Sequence, residues 1–393
     1  VPILLKTNLS IGTEIAMNSN IKVAIITNVP APYRVPVWRR VAAASGINLE
    51  LIFCSQPHID TSQNPADYGF SMHFLTGRYI AMKRRFMHCD FRVWALLDRL
   101  QPDVVITTGY IPTFLFGFLW ALVHGIPHIA MTDGTANSEK SLTRLHRWIR
   151  RAVFGRSAAF VGACEGSRNL FKQFGVPEQR IHLSYLCADN LKFTEPAAAT
   201  VVDFIFCGRF VEHKRPLFAL QVAKEVAIAL GRKTSLDFVG SGDMEQKLRT
   251  YANEIAEFVD CRFLGYATQA ELPGRYAGAK IFLFPSEWDP WGVVANEACA
   301  SGLPVIVSPN AGVATELVVN DFNGYVCELN SQLWADAAVT LLRDAELYKR
   351  FSQNSRQRVA IYNFDNSAQG LVDAIKQAYA SRNILDAIYV PAD

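Results

Sequence analysis

Residues 282–306 read FLFPSEWDPWGVVANEACASGLPVI, and the architecture follows from this stretch. Ile281–Phe284 is an apolar run of the kind that forms a buried parallel strand. Pro285 and Ser286 end it, a loop follows, and Gly292 opens a helix that contains Glu297. Ser301 and Gly302 break that helix, and Pro304–Val307 begins another short strand. Strand, loop, helix and strand in this order make a βαβ unit. The helix opens at Gly292, Val293 and Val294, so its unpaired N–H groups and its dipole face the cleft, where a diphosphate fits. Asp289 lies in the loop before it, and Glu297 stands eight residues further on. A carboxylate there accepts hydrogen bonds from two vicinal hydroxyls, as a ribose or hexose requires. By spacing alone, Glu297 serves equally well as a local partner of its own helix.

The same alternation runs outward in both directions. After the linker, strands are expected at Phe204–Cys207, Leu236–Val239, Arg262–Leu264, Ile281–Phe284, Val305–Val307 and Tyr325–Cys327. The helices between and after them are Leu217–Leu230, Met244–Ile255, Gln269–Tyr276, Val293–Ala300, Gln332–Arg343 and Leu347–Ile361. The first half repeats the pattern, with strands at Val23–Thr27, Leu49–Phe53, Val104–Thr107, His128–Met131 and Ala159–Gly162. Its helices are Val35–Ala44, Phe91–Leu100, Thr113–Val123 and Leu142–Phe154, while the polar segment Gln56–Tyr68 reads as a loop. The fold class is therefore α/β, with two Rossmann-like, doubly wound parallel-sheet domains facing a central cleft. A chain of 393 residues is too long for one ordinary core and suits two. The expected divisions are an N-terminal extension (1–20), a first domain (21–190), a linker (191–200), a second domain (201–365) and a C-terminal helix (366–393).

Composition narrows the class further. Half of the residues are hydrophobic and 19% are charged, as in a globular protein. Residues 1–190 hold 20 Lys and Arg against 12 Asp and Glu, and residues 191–393 hold 19 against 24. The basic first half suits an anionic partner, and a solvated basic surface accounts for it equally well. Eight scattered cysteines lack the spacing of a zinc site and favour a reducing compartment. The opening residues lack a secretory pattern, and the domain is expected to begin near Met17. Ile111–Met131 is almost uncharged, but Pro112, Gly125 and Pro127 leave too short an apolar helix for the ~20 residues of a membrane span.

Three further constellations carry chemistry. In FCGRFVEHKRP (206–216), a strand ends at Gly208, and Arg209 and Lys214 stand five apart on the loop before a helix. Two cations there neutralise a bound diphosphate and the charge that builds as it leaves. In VGSGD (239–243), Gly240 belongs to a turn after a strand, and in FLGY (263–266) Gly265 and Tyr266 follow another. Taken alone, both read as tight turns.

Together these segments resemble the family 4 glycosyltransferases, retaining enzymes of the GT-B fold. The residues that carry the resemblance are GRFVEHKRP at 208–216, VGSGD at 239–243, FLGY at 263–266, PSEWDPWGVVANEACASGLPVI at 285–306 and NAGVATELV at 310–318. It covers about residues 155–365 well, including FGVPEQRI at 174–181, and the N-terminal half in outline only. By that resemblance, Arg209 and Lys214 form the diphosphate-binding pair and Glu297 holds the ribose hydroxyls. Asp289 takes a place where the family commonly has Glu and contacts the donor sugar. Gly265 and Tyr266 lie beside the base, and Gly312 approaches the sugar or phosphates. The last helix, in NSAQGLVDAIKQAYASR (366–382), is expected to cross back onto the first domain.

The first domain departs from the family pattern. Its first loop, TNVPAPYR (27–34), replaces a Gly-rich turn, and Pro30 and Pro32 have no N–H to offer a phosphate. It is expected to shape the acceptor side, with Arg34 either meeting an acceptor phosphate or holding the loop. Asp133, at the end of a strand, is assigned to the transferred sugar, although Asp-Gly is also an ordinary turn. His124 and His128 read as capping or buried residues. MKRRFM (82–87) and RLHRWIRR (144–151) mix basic and aromatic residues, suiting either an anionic membrane surface or a solvated helix face.

The expected activity is transfer of a hexosyl group from a nucleotide sugar, UDP first and GDP second, to a glycan or lipid-linked acceptor in cell-surface polysaccharide assembly. The donor is a co-substrate, and neither a cofactor nor an obligatory metal is expected, nor a nucleic-acid partner. The expected location is the cytoplasm, at the inner face of the membrane. Two alternatives stand beside it: a GT-B epimerase acting on the sugar nucleotide alone, and a non-catalytic nucleotide-sugar-binding protein.

Overall fold

The computed structural model describes residues 20–55, 69–75, 77, 79–82, 85–140, 142–194 and 201–388. The first unit holds β1 (Ile21–Thr27), α1 (Val35–Ala43), β2 (Ile47–Phe53), β3 (Ser71–Phe74) and a two-stranded antiparallel hairpin, β4 (Tyr79–Met82) with β5 (Arg85–His88). It continues with α2 (Arg92–Leu100), β6 (Val104–Thr107), α3 (Pro112–Val123), β7 (His128–Thr132), α4 (Arg144–Phe154), β8 (Ala159–Gly162), α5 (Glu165–Gln173) and β9 (Ile181–Leu183). The second unit holds β10 (Val202–Cys207), α6 (Pro216–Leu230), β11 (Thr234–Val239), α7 (Glu245–Glu254), β12 (Val259–Phe263), α8 (Leu272–Ala277) and β13 (Ala279–Phe284). It ends with α9 (Val293–Ala300), β14 (Val305–Val307), β15 (Gly324–Val326), α10 (Ser331–Arg343) and α11 (Ala345–Val359), and α12 (Phe364–Ile388) follows.

Both main sheets are parallel, in the orders β3-β2-β1-β6-β7-β8-β9 and β12-β11-β10-β13-β14-β15. The apolar runs become buried strands because helices cover both faces: Val23–Ile26, Val104–Ile106 and Ile281–Phe284 are nearly or wholly inaccessible to solvent. In each sheet the winding reverses beside the first strand, between β1 and β6 and between β10 and β13. Side chains and amides at those carboxyl ends converge on a crevice, where α/β sheets bind ligands.

Several boundaries and elements differ from the sequence expectation. β12 starts three residues earlier than expected, and α8 begins at Leu272, because Thr268 and Glu271 form a local hydrogen-bonded turn first. β3, the hairpin and β9 were not expected. Each strand is short, and β3 and β9 are sheet edges that take their conformation from one neighbour. The expected loop Gln56–Tyr68 lies outside the described residues. The expected linker is packed at its start, where a 3₁₀ turn, Asn190–Phe193, buries Phe193 against the Tyr276 ring. The rest of it, 195–200, lies outside the described residues.

α12 lies on α1, β8 and β9 of the first unit. Gly370 permits this, since a Cβ there would stand 1.8 Å from the Leu183 carbonyl oxygen. Ser367 Oγ donates to the Tyr185 carbonyl at 2.7 Å, and Arg40 pairs with Asp365. One apolar cluster runs continuously from Val23 and Trp38 through Leu186, Leu371 and Ile375 to Phe284 and Trp291, so the two units share a core. Among the described residues, no helix is long and apolar enough to cross a membrane.

Candidate active site

The site begins where β10 ends. Arg209, exposed two residues past the strand, has no hydrogen-bonding or ionic side-chain partner among the described residues. A 3₁₀ turn, Glu212–Lys214, then carries Lys214 inward, and Arg215 enters α6 in the left-handed region at φ 51°. This turn is clamped to the loop that follows β13. The Glu287 N–H donates to the His213 carbonyl at 2.7 Å, Arg215 donates to Glu287 at 2.6 Å, and Trp288 stacks on His213 with centroids 4.9 Å apart. The clamp brings Lys214 Nζ onto the Asp289 carboxylate, with the ammonium over the Phe284 ring. Burial, then the charges of Lys214 and Arg209, hold the His213 pKa below its usual value.

Asp289 is itself tightly held. Its other carboxylate oxygen accepts from the Trp291 N–H at 3.2 Å, and its carbonyl accepts from the Gly312 N–H at 2.9 Å. Gly292 caps α9 at φ 104°, and a Cβ there would fall 2.4 Å from the Phe284 ring. Only glycine both takes that conformation and fits that contact, which aims the first turn of α9 into the cleft.

A cavity of about 500 Å³ results, within the ~300–1,000 Å³ of small-molecule sites. It is lined by Gly208, Arg209, Lys214, Asp289 and Gly292–Val294 of the second unit, and by Tyr33 and Asp133 of the first. Seven of the expected site residues and Asp133 thus share one chamber. The remainder lie around it. Gly240 packs its backbone against Gly208, Gly312 abuts Pro290, and Tyr266 is 80% exposed beyond Gly265. Glu297 is 5% exposed and accepts from Tyr276 Oη at 2.9 Å, so its partner is another helix and not its own. Burial pushes its carboxyl pKa up to about 7.

Sequence reasoning missed three residues. Ser286 is fully buried against the cavity, and its hydroxyl has no hydrogen-bond partner among the described residues. Tyr276 orients Glu297, and Tyr33 borders the cavity from the opposite unit. Ser286 was legible in part, as a hydroxyl at a strand's carboxyl end; Tyr276 and Tyr33 become visible only through distant contacts. Arg34 reaches Ser184, and its NH1 donates to the carbonyl at 3.1 Å and to the hydroxyl at 3.3 Å. His128 is buried between Thr107 and Ser157, and His124 bonds the Trp120 carbonyl, so neither faces the cleft chamber. Another cavity, about 400 Å³, lies around Gly125–His128 at the amino end of β7, away from these groups.

The two halves match two family models. "Glycosyltransferase Family 4" matches residues 39–189, and "Glycosyl transferases group 1" matches residues 189–358. An uncharacterized glycosyltransferase of Methanocaldococcus jannaschii is 28% identical over 176 residues, 44% of each chain. A D-inositol 3-phosphate glycosyltransferase of Corynebacterium urealyticum is 29% identical over 187 residues, 45% of this chain and 43% of that one. The match thus spans less than half the length of these two relatives. It is longer for the Escherichia coli UDP-Gal:alpha-D-GlcNAc-diphosphoundecaprenol alpha-1,3-galactosyltransferase, which is 28% identical over 308 residues, 73% of this chain and 77% of that one. Solved structures share the fold. Anabaena HepE in complex with UDP and glucose superposes with a TM-score of 0.68 at 13% identity, over 93% of this chain and all of that one. The sucrose-phosphate synthase of Thermosynechococcus elongatus gives 0.69 at 16% identity, over 92% and 100%. With the two models meeting at residue 189 and together running from 39 to 358, across both sheets except β1, the chain belongs to the family 4-type glycosyltransferases of the GT-B fold.

Proposed function

We propose that this protein transfers a hexosyl group, with retention of anomeric configuration, from a nucleoside-diphosphate sugar to a glycan or lipid-linked acceptor. UDP is the first choice of nucleotide and GDP the second. The observation that carries the reading is the convergence of Arg209, Lys214 and the α9 N-terminus on one cavity, beside a buried Ser286 hydroxyl that has no partner among the described residues. Two cations and a row of amides are what a diphosphate requires, both at rest and as a leaving group. Lys214 exchanges Asp289 for the diphosphate on donor binding, and the freed carboxylate turns to the sugar hydroxyls. As the sugar–phosphate bond loosens, Arg209 and Lys214 stabilise the departing charge. The acceptor hydroxyl attacks from the same face, and the leaving phosphate oxygen takes its proton. Glu297, oriented by Tyr276, holds the ribose. No metal enters this scheme, so activity is expected to survive chelation by EDTA.

One relative supports a lipid-linked acceptor, since it is named for a sugar linked to diphosphoundecaprenol. Work at the inner membrane face is consistent with the exposed basic and aromatic face of α4.

The test is a thermal-shift screen of UDP-, GDP-, ADP- and dTDP-sugars, followed by nucleotide release with and without acceptors. Arg209→Ala is expected to lower turnover by ~10²–10³-fold with an unchanged melting temperature. Lys214→Ala should do the same with some loss of stability, because it strands Asp289. Near-normal rates in both variants defeat the proposal, and turnover of the donor alone would indicate an epimerase.

A further inference from the structure

The donor cavity opens into a second chamber. About 220 Å³ in volume, it lies at the carboxyl ends of β1, β6 and β7, and shares Tyr33, Asp133 and Leu186 with the first. Its remaining walls include Asn28, Thr108 and Arg34. Smaller than the ~300 Å³ of typical ligand pockets, it holds one ring or one charged group and no longer segment.

Arg34 sets the chemistry of this chamber. Arg34 is partly withdrawn from water, and that burial holds its pKa below the usual arginine value. Both of its hydrogen bonds go from NH1 to neutral oxygens of Ser184. Nε and NH2 have no partner among the described residues, and no carboxylate pairs with Arg34 there, Asp133 acting on it only from beyond ion-pair distance. A guanidinium taken out of water is costly until an anion meets it, and its planar fork matches a phosphate or carboxylate. A purely loop-holding arginine would direct its fork to backbone carbonyls on several sides. Arg34 spends one nitrogen on Ser184 and lines the chamber besides.

We infer that this second chamber receives the acceptor through an anionic group, a phosphate or a carboxylate, bound by the fork of Arg34. The inference rests on the transfer reading above, which makes this the acceptor side of the cleft. Asp133 opposes the anion from the chamber mouth. The acceptor's attacking hydroxyl then lies toward Tyr33 and Asp133, where the two cavities join.

The test is calorimetric titration of the full chain with three probes: glucose 6-phosphate, glucuronate and neutral methyl glucoside. Saturating UDP, or GDP if UDP does not bind, keeps the probes out of the diphosphate site. One or both anionic probes are expected to bind at least about tenfold more tightly than methyl glucoside, the scale of a charge-assisted hydrogen bond. The two anionic arms distinguish phosphate from carboxylate. R34Q should abolish the preference and leave nucleotide affinity within about twofold, while D133N should enlarge it by removing the opposing charge. Equal binding of all three probes, or a preference that survives R34Q, overturns the inference. Should R34Q fail to fold, D133N decides, and an unchanged preference there counts against it. A chain that binds no nucleotide defeats the donor reading instead, and the titration without nucleotide still tests Arg34.

Discussion

At the scale of single residues, Glu297 has the most consequential environment. It sits buried, with one phenol and no cation as partner among the described residues, so its carboxyl stays protonated up to about pH 7. An acid whose folded pKa is raised binds more protons folded than unfolded. Its contribution to stability is therefore full below the ordinary value of 4.5 and is lost as pH rises toward 7. The charged form is also the one that accepts two ribose hydroxyls, so donor affinity should move the opposite way. Nucleotide affinity is expected to rise severalfold between about pH 6 and pH 8 in the native protein. Glu297→Gln should bind more weakly and show no such rise, and titration calorimetry across pH checks it. The cation pair at 209 and 214 was legible because strand-end position and spacing are properties of the chain itself. That Lys214 rests on Asp289 was not, since the contact joins loops 75 residues apart.

At the scale of elements, α4 separates its two sides sharply. Val153 and Phe154 enter the core, and Arg150 turns inward to Glu139 at 2.6 Å and over the Tyr110 ring. Leu145 and Trp148 are 63% and 65% exposed, beside exposed Arg144, Arg147 and Arg151, and the helix has no acidic residue. Such a face buries its apolar side chains at the headgroup level of an anionic bilayer while the arginines meet phosphate. Sedimentation with vesicles containing anionic lipid should capture the protein, and Trp148→Glu with Leu145→Glu should release most of it. Equal recovery of the two proteins with the vesicles defeats this idea. The companion basic stretch, 82–87, lies partly outside the described residues. Long periodic helices and apolar central strands were readable because each satisfies its own backbone or is bounded by clear breaks. Edge strands such as β3 and β9 were not, because a four-residue or three-residue strand is chosen by its neighbour.

At the scale of the molecule, the two units touch through a carboxylate. Glu316, from the loop after β14, accepts from the Glu165 N–H at 3.1 and 3.0 Å and so caps α5 of the opposite unit. Arg358 steadies this loop by donating to the Glu316 carbonyl, at 2.8 Å from Nε. Burial pushes the Glu316 carboxyl up to about 7, so the cap is partly protonated near neutrality. Removing it should uncap a helix and loosen the cleft together, at a cost of ~0.5–2 kcal/mol. Glu316→Ala is expected to lower the melting temperature by a few degrees and enlarge the nucleotide-free radius of gyration in small-angle scattering. An unchanged scattering profile with lowered stability would leave a simple cap.

Local chemistry determined that this chain builds two parallel sheets. Apolar runs, breakers and helix periods act within a few residues and survive in any one-dimensional reading. It also determined which strand ends bear cations and carboxylates. What the residues at those ends do to one another was decided only by folding. The pairing of Lys214 with Asp289, the burial of Glu297 under Tyr276, and the hold of Ser184 on Arg34 depend on segments far apart in sequence. Desolvation and distance set those interactions, and both exist only once the cleft has closed around them.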